Sequence, residues 1–155
     1  MELTTARPLL MEHMFVFGDP TVPSDPKYTE EVGLLWEYDT GTGLLLHSTG
    51  ADFHPQVHVQ THQLSDAHFW PDHERVQMKV PSGQIRVTDL DSPRAGQSIN
   101  VQPGSYTVDV YRRSFEGAED YCVFEESDYD PRADPPRLGK IMEEWVFVLT
   151  PVHTV

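Results

Sequence analysis

Two groups of side chains in this 155-residue sequence are dense enough to do chemistry, and the first is a block of carboxylates. Residues 116–134 carry eight acids and one base, Arg132, so the block has a net charge of −7, half of the chain's −14. Its acids are Glu116, Glu119, Asp120, Glu125, Glu126, Asp128, Asp130 and Asp134. Clustered charge of one sign steers a partner of the opposite sign, so the block predicts a surface that binds a basic protein. The alternative interpretation is a solvated loop that only keeps the protein soluble.

Aromatic side chains are interleaved with these acids. Large aromatic residues commonly anchor protein interfaces, while surrounding charge speeds association. The predicted partner-binding residues are therefore the aromatics and their acidic neighbours: Tyr111, Phe115, Glu116, Glu119, Asp120, Tyr121, Glu125, Glu126, Asp128, Tyr129 and Asp130. The alternative interpretation assigns the aromatic residues to the hydrophobic core and leaves the acids simply solvated.

The second group is a set of histidines, six of which lie within residues 47–73. His54, His58 and His62 are four residues apart on one face of a predicted strand. At ~3.3 Å per residue, each lies ~13 Å from the next. This spacing is too wide for one zinc ion, whose bonds to nitrogen are about 2.0–2.1 Å long. The sequence therefore predicts an exposed, pH-sensitive histidine face and no metal or cofactor. The rival hypothesis is a metal-binding or small-molecule-binding β-protein, or an enzyme, that uses His58, His62, His68 and His73.

Sequence motifs of other function classes are absent. There is no G-x-S-x-G nucleophile motif, no HExxH or CxxC metal motif and no glycine-rich phosphate-binding loop. The 25 acidic and 11 basic residues make a surface that repels nucleic acid and anionic membranes. The sequence thus predicts a binding protein that is not an enzyme, with neither nucleic acid nor membrane as its partner.

Length and cysteine content limit the architecture and the compartment. A chain of 155 residues has the size of one domain, so residues 1–155 are predicted to form a single domain. Cys122 is the only cysteine, which excludes an internal disulfide and favours a reducing compartment. Residues 1–17 lack the basic start and cleavage site of a signal peptide, and no apolar run is long enough to span a membrane. The predicted location is therefore the cytoplasm, and a homodimer or a purely structural module stays open.

The elements that must position these groups are predicted to be strands. Apolar and polar residues alternate, and 13 prolines and 10 glycines are spaced as turn markers, which is typical of an all-β fold. The predicted fold is a single-domain antiparallel β-sandwich with a long acidic, proline-rich loop before the last strand. In the clearest strand, residues 106–111, Tyr106, Val108 and Val110 share one face. A short run, Tyr121–Phe124, is predicted to pair back against this strand.

The remaining strands follow from the same alternation. They are predicted at Leu10–Phe17, Leu34–Tyr38, Leu44–His47 and Phe53–His62. Residues 75–90 are predicted to form a hairpin. The segment Trp145–Leu149 is apolar on both faces, so it is predicted to be a central strand covered on both sides. One helical turn is predicted at Lys27–Val32, with Thr29 as its cap.

The order of several short segments resembles that of a known family. The segments are His13–Phe17, Asp19–Pro26, Gly43–Leu46, Val80–Pro81, Ile85–Leu90, Val101–Val108 and Asp120–Tyr121. Together they resemble the competence protein J family, small acidic inhibitors of a DNA-entry nuclease. The resemblance spans roughly residues 9–125, and Glu126–Trp145 looks like an added segment. It carries no catalytic motif, and it implies an inhibitor or immunity-type protein that binds a basic nuclease. From the charge of the chain, a basic toxin is the other predicted partner.

Overall fold

The fold is known for four parts of the chain. The computed structural model describes residues 1–10, 12–23, 33–90 and 96–153. These parts contain ten strands and two short 3₁₀ helices. The helical turn predicted at Lys27–Val32 lies outside the described residues. None of the described helices is long and apolar enough to cross a membrane.

The strands form two five-stranded sheets, which confirms the predicted all-β sandwich. In spatial order, the first sheet consists of β1 (Glu2–Ala6), β5 (Gln56–Gln60), β10 (Glu143–Pro151), β9 (Gly104–Ser114) and β6 (Asp72–Val80). The second consists of β3 (Leu35–Glu37), β4 (Gly43–His47), β2 (Met14–Gly18), β7 (Gln84–Thr88) and β8 (Gln97–Asn100). All pairings are antiparallel except that of β5 with β10.

The core between the sheets is built from alternate residues of each strand, as period-2 side-chain placement requires. Trp145 and Phe147 of β10 are fully buried there, opposite Phe15 and Phe17 of β2. The ring centroids of Phe17 and Phe147 are 4.2 Å apart in a stacked arrangement, and Phe15 meets Trp145 edge-on at 5.2 Å. Each such pair contributes about 0.5–1.5 kcal/mol beyond the area that it buries.

Strand β10 is central, as its sequence predicts. It lies between β5 and β9, and its outward-facing residues Val146 and Val148 are also buried. A second apolar cluster covers them, in which Trp70 and Tyr111 are packed over the outer face of the first sheet. Trp70 belongs to the β5–β6 loop, so this loop shields the back of the sheet.

The hairpin predicted at residues 75–90 is wrong. Strands β6 and β7 belong to different sheets, and the turn between them carries the chain across the core. Gly83 adopts a left-handed φ of 73° in this turn. The carboxylate of Asp19 accepts hydrogen bonds from the backbone and the hydroxyl of Ser82 at 2.9 and 2.8 Å. Alternation is the same for paired strands and for strands facing each other across a core, so the pattern does not distinguish the two.

One further strand prediction is wrong, and one observed strand was not predicted. Tyr121–Phe124 does not pair with β9, whose neighbours are β10 and β6; residues Val123–Glu125 form a 3₁₀ helix instead. Strand β1 was not predicted, because only Leu3 and Ala6 are apolar in its five residues. Its position is determined by pairing with β5, a contact between distant parts of the chain.

Candidate partner-binding site

The acidic residues 116–134 lie in one long segment that connects two strands at one end of the sandwich. We call residues 115–142 the β9–β10 connection. The strand residues that flank it, Ser114 and Glu143, are paired with each other, so the whole connection leaves and re-enters the first sheet at one point, where β9 ends and β10 begins. Within it, the backbone N–H of Val123 donates to the carbonyl of Asp52 at 2.8 Å, which ties the connection to the β4–β5 loop.

An arginine holds the far part of the connection in place. The Nη2 atom of Arg7 lies 2.9 Å from the carbonyl oxygen of His54 and 3.3, 3.1 and 3.4 Å from those of Leu138, Gly139 and Lys140. Burial lowers the pKa of the Arg7 guanidinium. Gly139 is suited to this segment, because it adopts a φ of 76° and a Cβ there would lie 2.5 Å from a methyl group of Val123.

A buried histidine makes a second link to the connection. His54 is 6% exposed, and its Nδ1 lies 2.9 Å from the carbonyl oxygen of Arg7. A carbonyl only accepts, so Nδ1 carries the proton and Nε2 accepts the hydroxyl of Tyr129 at 2.8 Å. Burial lowers the pKa of His54, which favours the neutral ring that this arrangement needs. The predicted exposed position of His54 is wrong, because the residue precedes β5 and does not follow the alternation of that strand.

Three of the four predicted aromatic anchors support the structure from within. Tyr111 is 7% exposed and its ring is stacked on His73 at 4.4 Å, so it does not present a face to a partner. Tyr121 donates to Glu126 at 2.7 Å and accepts from the backbone N–H of Lys140 at 3.1 Å. Tyr121 and Tyr129 are half-buried against the main core, and burial raises the pKa of both hydroxyls. For these residues the core interpretation describes the contacts best.

Two phenylalanines of the connection are exposed instead. Phe115, a predicted anchor, is 40% exposed, and Phe124 is 54% exposed. Phe124 meets Tyr129 edge-on with ring centroids 5.6 Å apart. Phe124 is absent from the predicted site residues because residues 121–124 have the pattern of a strand. The two acids that follow, Glu125 and Glu126, were the available signal that it lies in the acidic block.

Six of the eight acids of residues 116–134 are exposed: Glu116, Glu119, Asp120, Glu125, Asp128 and Asp134. The other two are half-buried and have partners within the connection. Glu126 accepts from Tyr121, and Asp130 lies 3.5 Å from Arg137, whose backbone N–H donates to the Asp130 carbonyl at 2.9 Å. The connection therefore combines an internally bonded backbone with carboxylates that point to solvent.

A cavity of about 260 Å³ lies where the connection leaves β9. It is lined by Thr49, Ser114, Phe115, Glu116, Gly117, Ala118, Glu119 and Asp120. Directly behind Thr49 and Ser114 is the carboxylate of Glu143, which is completely buried. The spacing of these residues along the chain, from 49 to 143, gives no sign of the cavity in the sequence.

The four histidines of the rival hypothesis have separate contacts. His58 lies 3.4 Å from Glu2, and His62 lies 2.9 Å from the amino terminus. His68 contacts the ring of Phe69 at 4.0 Å, whereas His73 lies 2.8 Å from Asp109. Within the described ranges, no group of three or more His, Cys, Asp or Glu residues is placed to hold a metal ion.

The two packed sheets place this chain among all-β sandwiches with solved members. Neither a family model nor a curated protein matches the sequence. ComJ from Bacillus subtilis, inhibitor of the DNA degrading activity of NucA, has a similar fold. It matches over 98% of each chain with a TM-score of 0.62 and 10% sequence identity. The resemblance to the competence protein J family is thereby confirmed at the level of the fold.

A second solved structure, described as crocagin biosynthetic gene J, matches 94% of this chain and 96% of its own. The sequences are 17% identical and the TM-score is 0.49.

Proposed function

We propose that this protein is a cytoplasmic binding protein that inhibits a basic partner, in the first place a nuclease, through the β9–β10 connection. The observation that carries the proposal is the exposure of six carboxylates on one anchored segment. Arg7 and His54 hold that segment against the sandwich. The protein is proposed to act by occlusion and not as an enzyme.

The carboxylates would take the place of nucleic-acid phosphates in the groove of the nuclease. A groove built to bind phosphate is lined with basic residues, and a row of fixed negative charges complements it. Such charge raises association rates from about 10⁵–10⁶ towards 10⁸–10⁹ M⁻¹s⁻¹ at low salt. Since the connection is already ordered by its own hydrogen bonds, little conformational entropy is lost on binding.

Apolar contact would come from the exposed phenylalanines. Phe115 and Phe124 are each followed directly by an acid of the connection and are among its exposed large apolar side chains. Interfaces commonly have aromatic anchors surrounded by polar residues. Phe124 thus replaces Tyr111 in the proposed set of contacts.

The fold similarity favours a nuclease over other basic partners. ComJ inhibits the DNA degrading activity of NucA, and a shared scaffold makes the same class of partner the first to test. A toxin of comparable charge is the alternative partner, which the same assay covers.

A pull-down from the native host at low salt, followed by an inhibition assay on the captured protein, tests the proposal. We expect a basic nuclease whose activity falls to background at a stoichiometric amount of this protein. Affinity should fall steeply between 50 and 500 mM salt, since the Debye length is about 10 Å at 0.1 M and shortens as salt increases. Unchanged affinity over that range, or a captured partner without net positive charge, would contradict the mechanism.

A further inference from the structure

The cavity at the start of the β9–β10 connection has the size of a pocket for one side chain. Its volume of about 260 Å³ is below the ~300–1,000 Å³ of pockets that hold drug-sized ligands. It is still several times the ~30 Å³ that one water molecule occupies in the liquid. A small group carried by a partner protein fits this volume better than a free cofactor.

The floor of the cavity is a hydrogen-bonded cluster around the buried carboxylate of Glu143. Its Oε2 accepts from the backbone N–H and the hydroxyl of Thr49 at 3.1 and 2.9 Å and from the hydroxyl of Ser114 at 2.9 Å. Its Oε1 accepts from the indole N–H of Trp145 at 2.6 Å. Thr49 and Ser114 line the cavity, and their hydroxyl oxygens are 2.8 Å apart.

The hydroxyl protons of Thr49 and Ser114 determine which hydrogen bonds a ligand in the cavity can make. Each hydroxyl has one proton and two lone pairs, and an ionised carboxylate has no proton to give. The two hydroxyl protons of Thr49 and Ser114 are used within the cluster, towards Glu143 or towards each other. Towards a ligand in the cavity, these two hydroxyl oxygens can therefore act only as acceptors, which favours a ligand that only donates.

The negative charge at the cavity also favours a hydrogen-bond donor, in particular one that is a cation. Among the residues that the structure describes, no basic side chain forms an ion pair with the fully buried Glu143. Glu116, Glu119 and Asp120 add three exposed carboxylates to the cavity lining. A buried charge is unfavourable unless it is both paired and hydrogen-bonded. Glu143 has the hydrogen bonds but, within the described part of the chain, no such ion pair, so a cation in the cavity would complement it.

We propose that this cavity binds one arginine side chain of the basic partner. The inference rests on the proposed function, because it names the partner group that the connection receives. A guanidinium has five N–H donors and no acceptor, which matches an acceptor-only floor and a carboxylate rim. Arginine also stacks on aromatic rings, and Phe115 provides one in the wall; lysine offers a compact, strongly hydrated charge that uses this wall poorly.

The test uses the full chain and a small probe, so it does not require the partner. Acetyl-arginine-amide is titrated into the isotopically labelled protein and followed by backbone amide NMR. We expect saturable shifts confined to Thr49 and residues 114–120. The citrulline analogue, which has the same shape without the charge, should produce no saturable shift, and acetyl-lysine-amide should bind about two- to fivefold more weakly. Equal binding of all three probes, or shifts spread over the whole chain, would overturn the proposal.

Matched variants separate the cavity from the general negative field. Glu119→Gln and Asp120→Asn each neutralise an exposed carboxylate of the lining with little change in shape, and each should weaken arginine binding about two- to fivefold. Glu37→Gln removes the same charge from an exposed side chain of β3, outside both the lining and the connection, and arginine binding should stay unchanged. Equal losses in all three variants would show general attraction and overturn the cavity. That result would overturn the cavity but not the proposed salt-dependent inhibition of a nuclease. Conversely, a failure to inhibit any nuclease would not change the NMR shifts that the arginine probe produces, so the two proposals can fail separately.

Discussion

At the scale of single residues, the structure depends on a few buried polar groups whose roles the sequence does not reveal. His54 was placed on an exposed face, yet it is buried and joins Arg7 to Tyr129. Asp19 is 6% exposed and holds the turn between the two sheets through Ser82. In both cases the side chain bonds to a part of the chain more than 60 residues away, and composition carries no trace of such pairings.

His54→Leu should destabilise the protein and reduce its sensitivity to acid. The change leaves the Arg7 carbonyl and the Tyr129 hydroxyl without their partner, at a cost of about 1–3 kcal/mol. Because burial lowers the pKa of His54, its contribution is complete above the unfolded value near 6.5 and declines as the pH falls below it. Urea denaturation at pH 7.5 and 5.5 measures both effects. His58→Leu, at a partly exposed site, is the control, and an equal pH dependence in His54→Leu and the wild type would contradict the assignment.

Asp19→Asn should loosen the turn between β6 and β7. Burial alone would raise the pKa of Asp19, but hydrogen bonds from Thr21 and Ser82 outweigh it and lower the pKa. The contribution of this carboxylate is therefore present above about pH 4 and is lost as the pH falls further. The NH₂ group of asparagine would face one of the two donor pairs, that of Thr21 or that of Ser82. We therefore expect the free energy of unfolding at pH 7 to fall by about 1–3 kcal/mol. In acid the stabilities of variant and wild type should converge, and a constant difference down to pH 2.5 would contradict the account.

At the scale of elements, local alternation predicted most strands and failed where pairing had to be known. Strands β4, β9 and β10 lie within a few residues of their predicted positions. The predicted hairpin at residues 75–90 failed because β6 pairs with β9 and β7 with β2. The β9–β10 connection was predicted as an acidic loop, but its anchoring by Arg7 depends on residues 131–133 positions away in the chain.

Arg7→Met should release the β9–β10 connection and weaken partner binding. Methionine keeps an apolar stem but removes the group that contacts the carbonyls of residues 138–140. Hydrogen exchange at the amides of residues 121–140 should become faster, since local opening costs less free energy. The variant is more negative by one charge, so electrostatics alone would strengthen binding to a basic nuclease.

Lys79→Met removes one positive charge from an exposed residue near the opposite end of the sandwich and serves as the control. Its exchange rates in the connection should match those of the wild type, and its affinity for the partner should not fall. Arg7→Met with unchanged exchange and undiminished affinity would show that the clamp has no part in binding.

At the scale of the whole molecule, charge is the dominant feature. The chain has a net charge of −14, and half of it lies within residues 116–134. Like charges repel one another in the compact state, and salt screens that repulsion. Stability and partner binding should therefore respond to salt in opposite directions.

Raising salt from 20 to 300 mM should increase the urea midpoint of the wild-type protein. The combined variant Glu116→Gln, Glu119→Gln and Asp120→Asn should show a smaller increase, because it removes three neighbouring charges. A matched variant with three neutralised acids outside residues 116–134 is the control for net charge. An equal salt response in all three proteins would show that the clustering of charge has no effect on stability.

The fold class, the two-sided burial of β10 and the concentration of negative charge before the last strand all follow from the amino-acid sequence. These are local properties, because alternation, turn residues and charge can be read within a short window of the chain. The burial of Tyr111, the exposure of Phe124 and the position of Glu143 behind a cavity lined by Thr49 and Ser114 are set by tertiary contacts. Each of these depends on which distant segments meet, and the free energy of such contacts is set by packing and hydrogen bonding that no short window contains.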